Sequence, residues 1–275
     1  MPLNARRHVR KMRGGAQAHL IEADDGQFYV VKLRENPQHR RVLINESVST
    51  VLLRYLELSA PEVVIVSVSP EFLAASPEVG IRLASQVVPA APGWHFGSRY
   101  PGDPDAIAVY DFIPDVLLGG VVNLREFLGI LAFDKWAGNA DGRQCVFFRS
   151  RVHEWSAART ESRPGFLAWM IDHGFAFNGP YWDFPDAPLQ GLYHRPLVYE
   201  QVRSLRDFEP WLERISNFPL EVLDEAYRRV PLQWLNGDLD ALEALLETLM
   251  RRRKRVPELI EQCRISRPAL FPNWT

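Results

Sequence analysis

The sequence predicts an α+β fold in two lobes, a small β-rich N-terminal lobe and a larger, mostly helical C-terminal lobe. Three observations predict it. First, β-formers flank an Asp24-Asp25-Gly26 turn, which makes residues 18–33 a hairpin with Lys32 at the end of its second strand. Second, Val48, Val51, Leu52 and Tyr55 stand at offsets of 0, 3, 4 and 7, the apolar face of a helix over 45–58 that Pro61 stops and whose first turn holds Glu46. Third, helical patterning prevails from about residue 208 onward, in 235–250 and again near 257–264.

The remaining elements fall between these. Two extended runs, 63–68 and 80–88, complete the small lobe around its single helix. Residues 89–104 carry four prolines and three glycines, which reads as a linker and puts the lobe boundary near residue 91, giving lobes of 1–91 and 92–275. Asn123 is placed as an N-cap, with Leu124, Phe127, Leu128 and Leu131 on the buried face of a helix reaching about Gly138. A polar loop over 139–144 ends that helix, and extended runs at 145–148 and 166–171 follow, joined by a charged loop. The eight tryptophans, Trp155 among them, show no spacing of a stacking platform and are assigned to packing. The run Arg251-Arg252-Arg253-Lys254-Arg255 follows a helix end, where cations complement the dipole and stay solvated.

Composition excludes several functions. With 275 residues, 47% of them hydrophobic, the chain can bury a sizeable core, and its net charge of −2 gives no bulk attraction to nucleic acid or anionic membranes. Neither partner is expected. Two cysteines, Cys145 and Cys263, are too few for a disulfide framework or a four-ligand zinc site, which fits a reducing compartment. The basic stretch 1–13 has no apolar core behind it and no window resembles a membrane span, so a cytoplasmic location is expected. A Walker loop, a nucleophile elbow and a His-Glu-x-x-His pair are all missing from the sequence.

What the chain does carry is an ordered set of polar residues. A Gly14-Gly15-Ala16-Gln17 turn is followed by Lys32 at a strand end, Glu46 on a helix, an Asn139-Ala140-Asp141-Gly142-Arg143 loop, and Asp172-His173-Gly174 after a strand. That order suits phosphoryl transfer, in which a protein mainly positions phosphates, metal and acceptor. Small residues let backbone N–H groups approach phosphate oxygens, a lysine neutralises them, and a helix glutamate holds the lysine. One loop aspartate orients the acceptor hydroxyl and a second binds Mg²⁺.

On Tyr29-Val30-Val31-Lys32, Asn45-Glu46, the stretch from Phe133 to Gln144, and Met170-Ile171-Asp172-His173-Gly174, the chain resembles the HipA-like kinases, bacterial relatives of the protein-kinase superfamily. The likeness spans roughly residues 14–175 and looks like the compact single-domain branch, without room for the extra N-terminal domain of the larger toxin-type members. It implies a two-lobed protein-kinase-like fold with ATP in the cleft and Mg²⁺ beside it. Asp141, Lys32 and Glu46 become the expected catalytic set; Gly14, Gly15, Ala16, Gln17, Lys32, Gln86 and Val88 the nucleotide contacts; and Asp172 the metal ligand. Where such kinases carry a second metal-binding Asn, five residues past the catalytic Asp, this chain has Val146, so Gln144 or Asn139 is expected to substitute.

Asp134 and Asn139 also stand five apart, but Asp134 shares a helix face with Phe127 and Leu131 and reads as a buried carboxylate bracing the loop through Arg143. His173 reads as a packing or hydrogen-bonding residue rather than a base. The resemblance points to γ-phosphoryl transfer onto a hydroxyl, of a protein Ser or Thr, with an antitoxin-like protein as a further expected partner. A small-molecule phosphotransferase and a non-catalytic nucleotide-binding module are the alternatives.

Overall fold

A computed structural model describes residues 1–83, 86–151 and 164–274. The charged loop expected after the 145–148 run, and Trp155 with it, falls largely outside the described residues. Strands β1 (Leu3–Lys11), β2 (His19–Ala23), β3 (Phe28–Lys32), β4 (Val63–Val68) and β7 (Gly93–Arg99) close a small barrel in the order β1-β2-β3-β7-β4. The β2–β3 hairpin turns at Asp24-Asp25-Gly26, where Asp25 Oδ1 accepts the Gln27 N–H at 2.9 Å. Helix α1 (Arg41–Tyr55) packs against β7 of the barrel and against helices of the C-terminal lobe. It starts four residues before the expected position because Val42, Leu43 and Ile44 are fully buried, so Glu46 lies in its second turn.

One stretch left without an element joins the small lobe, and two readings need correction. The basic N-terminal stretch is strand β1, which pairs antiparallel with β2 and, at Leu3 and Asn4, parallel with β4. Its apolar signal rests on little more than Leu3 and Ala5, both packed against the barrel interior. The 80–88 run is two strands, β5 (Gly80–Leu83) and β6 (Gln86–Pro89), paired with each other in a sheet apart from the barrel, behind a short helix α2 (Pro70–Ala75). Most consequential, the Pro/Gly-rich stretch read as a linker contains β7, which pairs with both β3 and β4. A boundary at residue 91 cuts off a strand the barrel needs, and the chain leaves the barrel only after Arg99. Gly97 is what that strand needs at its crowded centre: a Cβ there would come within 2.6 Å of Val66 Cγ2 and 3.2 Å of Val64 Cγ2.

The second lobe is built on α4 (Glu126–Ala137), nearly every residue of which is buried. Asn123 is not its cap; the Asn123 amide pairs with both backbone groups of Ala168, at 2.8 and 2.9 Å, extending the sheet edge instead. That sheet runs β10 (Pro164–Ile171), β9 (Gln144–Arg151), β8 (Val109–Tyr110), with the short helix α3 (Asp115–Leu118) nearby in sequence. Helices α5 (Trp211–Ser216), α6 (Leu220–Arg229), α7 (Leu232–Leu235), α8 (Leu239–Arg252) and α9 (Val256–Ser266) complete the predominantly helical end. The basic run is only partly a solvated end: Arg252 is buried and ion-pairs with Asp186 at 2.6 Å. Among the described residues no helix is long and apolar enough to cross a membrane.

Candidate active site

The end of β3 delivers Lys32 to the interface of the two lobes. Its Nζ donates to Glu46 Oε1 on α1 and, at 2.7 Å, to Asp172 Oδ1 just past β10, with the Lys32 and Glu46 side chains buried and that of Asp172 34% exposed. Burial opposes the charge on Lys32, but the carboxylates of Glu46 and Asp172 outweigh it and raise its pKa. Burial pushes the Glu46 carboxyl up while Lys32 draws it back. Burial would also raise Asp172; Lys32, then Arg143, and a hydrogen bond from Gln144 reverse that and hold it below the usual carboxylate range. Three residues far apart in sequence thus form one charged cluster. Asp172 itself sits at φ +60°, a left-handed conformation that an Asp adopts more readily than most side chains.

Asn45, one residue before Glu46, is the contact that sequence reasoning left unassigned. Its Nδ2 donates to the carbonyls of Gly174, Ala176 and Gly179 at 2.7 to 3.0 Å, and its Oδ1 accepts from Trp182 Nε1. Asn45 is fully buried, and a buried amide must be paired. Through it α1 fixes both the lysine's partner and the loop that follows Asp172.

The 139–144 loop is held from below. Asp134, at the buried end of α4, receives Arg143 through Nε at 2.8 Å and through Nη2, and receives Asn139 Nδ2 at 3.0 Å. Burial pushes the Asp134 carboxyl up, and the Arg143 guanidinium, Asn139 and Lys135 pull against it. Arg143 also donates to Ile171 O and to His173 Nδ1, which ties the loop to the Asp172 segment. His173 Nε2 then donates to Met170 O, so the ring is neutral and serves as a hydrogen-bonding spacer, as its surroundings in sequence suggested. The bracing role read for Asp134 is what the geometry shows.

Asp141 projects from this loop as an exposed side chain, with Oδ1 accepting the Gly142 N–H and Oδ2 accepting Gln144 Nε2 at 3.3 Å. Gln144 opens β9 directly opposite Ile171, and this register sets its amide between Asp141 and Asp172. Val146 lies opposite Trp169 and packs in an apolar cluster, so it offers no ligand. Asn139 is buried with both side-chain atoms committed, Nδ2 to Asp134 and Oδ1 to the Asp141 N–H, and this removes it as a metal ligand. Among the described residues no group of three or more His, Cys, Asp or Glu is arranged to hold a metal by itself.

The nucleotide contacts expected in the small lobe divide. Gly14, Gly15 and Ala16 form the turn between β1 and β2, with Gly15 against the Gln38 side chain from the β3–α1 connection. The side chain of Gln17 is spent elsewhere, bridging Lys11 and both backbone groups of Arg82 on β5. Gln86 and Val88 are exposed on β6, in the separate two-stranded sheet, and no contact among the described residues joins them to Lys32 or Asp172.

A barrel-and-helix lobe supplying a lysine and its glutamate, set against a helical lobe supplying two loop aspartates, defines a protein-kinase-like phosphotransferase. The model of the HipA-like kinases matches residues 7–258, and the chain belongs to that family. The fold is similar to two solved structures of the Golgi casein kinase. One is 16% identical with a TM-score of 0.53; the other, with Mn/ADP bound, is 15% identical with a TM-score of 0.51. Each match covers 97% of this chain and 74% of the other. No curated protein matches the sequence.

Proposed function

We propose that the chain is an ATP- and Mg²⁺-dependent kinase that transfers the γ-phosphoryl group to a hydroxyl on a protein Ser or Thr. The observation that carries the reading is the cluster in which Lys32 is fixed between Glu46 and Asp172 while Asp141 stands exposed on a loop braced by Arg143 and Asp134. Lys32 is oriented by Glu46 toward the phosphates, where its charge counts more than in water. Asp141 is the exposed carboxylate, placed to accept the proton of an acceptor hydroxyl and orient its oxygen for in-line attack. The partly exposed Asp172 carboxylate is the hard-oxygen donor that suits Mg²⁺ shared with phosphates, and Gln144, which turns its Nε2 toward Asp141, would add its oxygen only with the amide reversed. When bound, that ion neutralises charge on the transferring group.

Purified protein incubated with Mg·ATP is expected to add phosphate, in units of one, to itself or to a lysate protein seen by intact mass, with Asp172→Ala as the silent control. A phosphorylated product of metabolite size would replace the protein acceptor with a small molecule. ATP binding with no transfer to anything would make the chain a nucleotide-binding module.

A further inference from the structure

Lys135 is a buried cation that the chemistry above leaves unused. It follows Asp134 on α4 and is only 4% exposed, and among the described residues it forms no ion pair. Its Nζ donates instead to three carbonyls of one segment: Gln190 at 2.6 Å, Pro188 at 2.7 Å and Ala187 at 3.4 Å. An ammonium has three N–H donors, and here all three are taken by backbone. Burying an unpaired charge is costly, and an apolar side chain would fill the same space. The reason for a cation lies in the segment it touches.

Pro185 and Pro188 deprive that segment of two N–H groups and keep it out of helix or sheet, so its carbonyls need a donor from outside. The segment then runs directly onto the 139–144 loop. Gly191 N–H donates to Asp141 O at 2.8 Å, and the next carbonyl, of Leu192, accepts Arg143 N–H at 3.0 Å. Gly191 has φ +73°, and a Cβ on it would collide with the Asp134 side chain, so the approach is as close as a backbone can make. A second buried cation secures the other end: Arg252 of α8 donates to Asp186 Oδ1 at 2.6 Å and to the Lys135 carbonyl at 3.2 Å.

We propose that Lys135 is a positioning residue: by gathering the carbonyls of 187, 188 and 190 it seats Gly191 on the Asp141 backbone and so fixes the Asp141 carboxylate for transfer. The proposal rests on the role given to Asp141 above. The clamp acts on the backbone beside Asp141 and leaves the nucleotide contacts of Lys32 and Asp172 alone, so its loss should appear in turnover rather than in ATP binding.

The test compares Lys135→Met and Lys135→Arg with wild type, following loss of the γ-phosphoryl group from Mg·ATP to any acceptor, water included, and amide hydrogen exchange at Gly191. Lys135→Met should lower kcat by about 10- to 100-fold, the scale of a misplaced reacting group, with KM for ATP changed by less than about twofold. Exchange at Gly191 should quicken by about tenfold or more as its hydrogen bond to Asp141 opens. Lys135→Arg, which keeps charge and donors, should recover most of kcat and protect Gly191. Should Lys135→Met not fold, Lys135→Gln takes its place with the same expected directions. Unchanged exchange at Gly191, an unchanged kcat, or an Arg variant as impaired as the Met variant would each overturn the clamp. Full activity in Asp141→Asn would instead overturn the role of Asp141, and the exchange at Gly191 would still decide whether Lys135 holds the segment.

Discussion

Asp134 and Asp141 are seven residues apart and stand in opposite settings, one buried and one exposed, and single substitutions should separate them. Asp141→Asn keeps an exposed side chain of the same shape, so melting temperature and Mg·ATP affinity should hold while turnover collapses. Asp134→Asn strands the fully buried Arg143, and breaking a buried pair from one side costs roughly 3 to 5 kcal/mol, visible as a large fall in denaturation midpoint. A stable, inactive Asp134→Asn beside an active Asp141→Asn would exchange their roles. At Lys32 the same logic gives a two-variant experiment. Lys32→Met should lose turnover by orders of magnitude and also stability, because Glu46 is left buried without its partner; Lys32→Met/Glu46→Leu should regain the stability but not the turnover. The sequence singled out both aspartates, Lys32 and Glu46 because each sits in a short motif whose neighbours constrain it. Asn45 and Lys135 were illegible as contacts for a common reason: their partners are backbone carbonyls 129 to 134 and 52 to 55 residues away, and a carbonyl has no residue type to recognise.

Among the elements, those with a strong period were readable and those defined by their neighbours were not. The β2–β3 hairpin, β4, α1 and α8 were legible from alternation or helical spacing alone. β1 and β7 escaped, one because Arg and Lys crowd its exposed positions, the other because Pro92 precedes it, Gly93 opens it and Gly97 interrupts it. Gly97 looked like a linker residue and is a packing residue, which Gly97→Ala tests. The added methyl group has to push Val66 and Val64 aside, an overpacking expected to cost about 1 to 3 kcal/mol, and Val66→Ala should restore much of the loss in the double variant. Equal denaturation midpoints for Gly97→Ala and wild type would show that β7 has slack at its centre. Asn123 failed as a cap in the same way β7 failed as a linker, since local preference was overridden by a strand edge, β10, that only the tertiary fold brings to it.

At the scale of the whole molecule, three buried histidines have their pKa lowered by burial. Burial lowers the pKa of His19 and His173, the latter well below its usual value with the Arg143 charge adding to the effect, and pushes His95 down to about 4. An unfolded chain protonates such rings near pH 6.5. Between that value and about 4 the unfolded state therefore binds a proton at His95 that the folded state refuses, and this contribution to stability, present above pH 6.5, is lost as pH falls. His95 accepts from Arg34 N–H and reaches Ala91 O, bonds that a glutamine can imitate, so the melting-temperature advantage of wild type over His95→Gln should shrink steadily from pH 7.5 to 4.5. An advantage independent of pH would exclude the linkage. The order of strands in the barrel has a consequence for how the chain reaches this state at all. β7 is the last of its strands to be made, yet it occupies the middle, between β3 and β4. Until residue 99 has emerged during synthesis, β3 and β4 each present an open edge able to pair with a stranger, and closing the gap joins segments more than thirty residues apart in a single step. Lys32 lies opposite Phe96 of β7, so its strand is paired on both sides only once that gap closes, and its partner Asp172 is made later still.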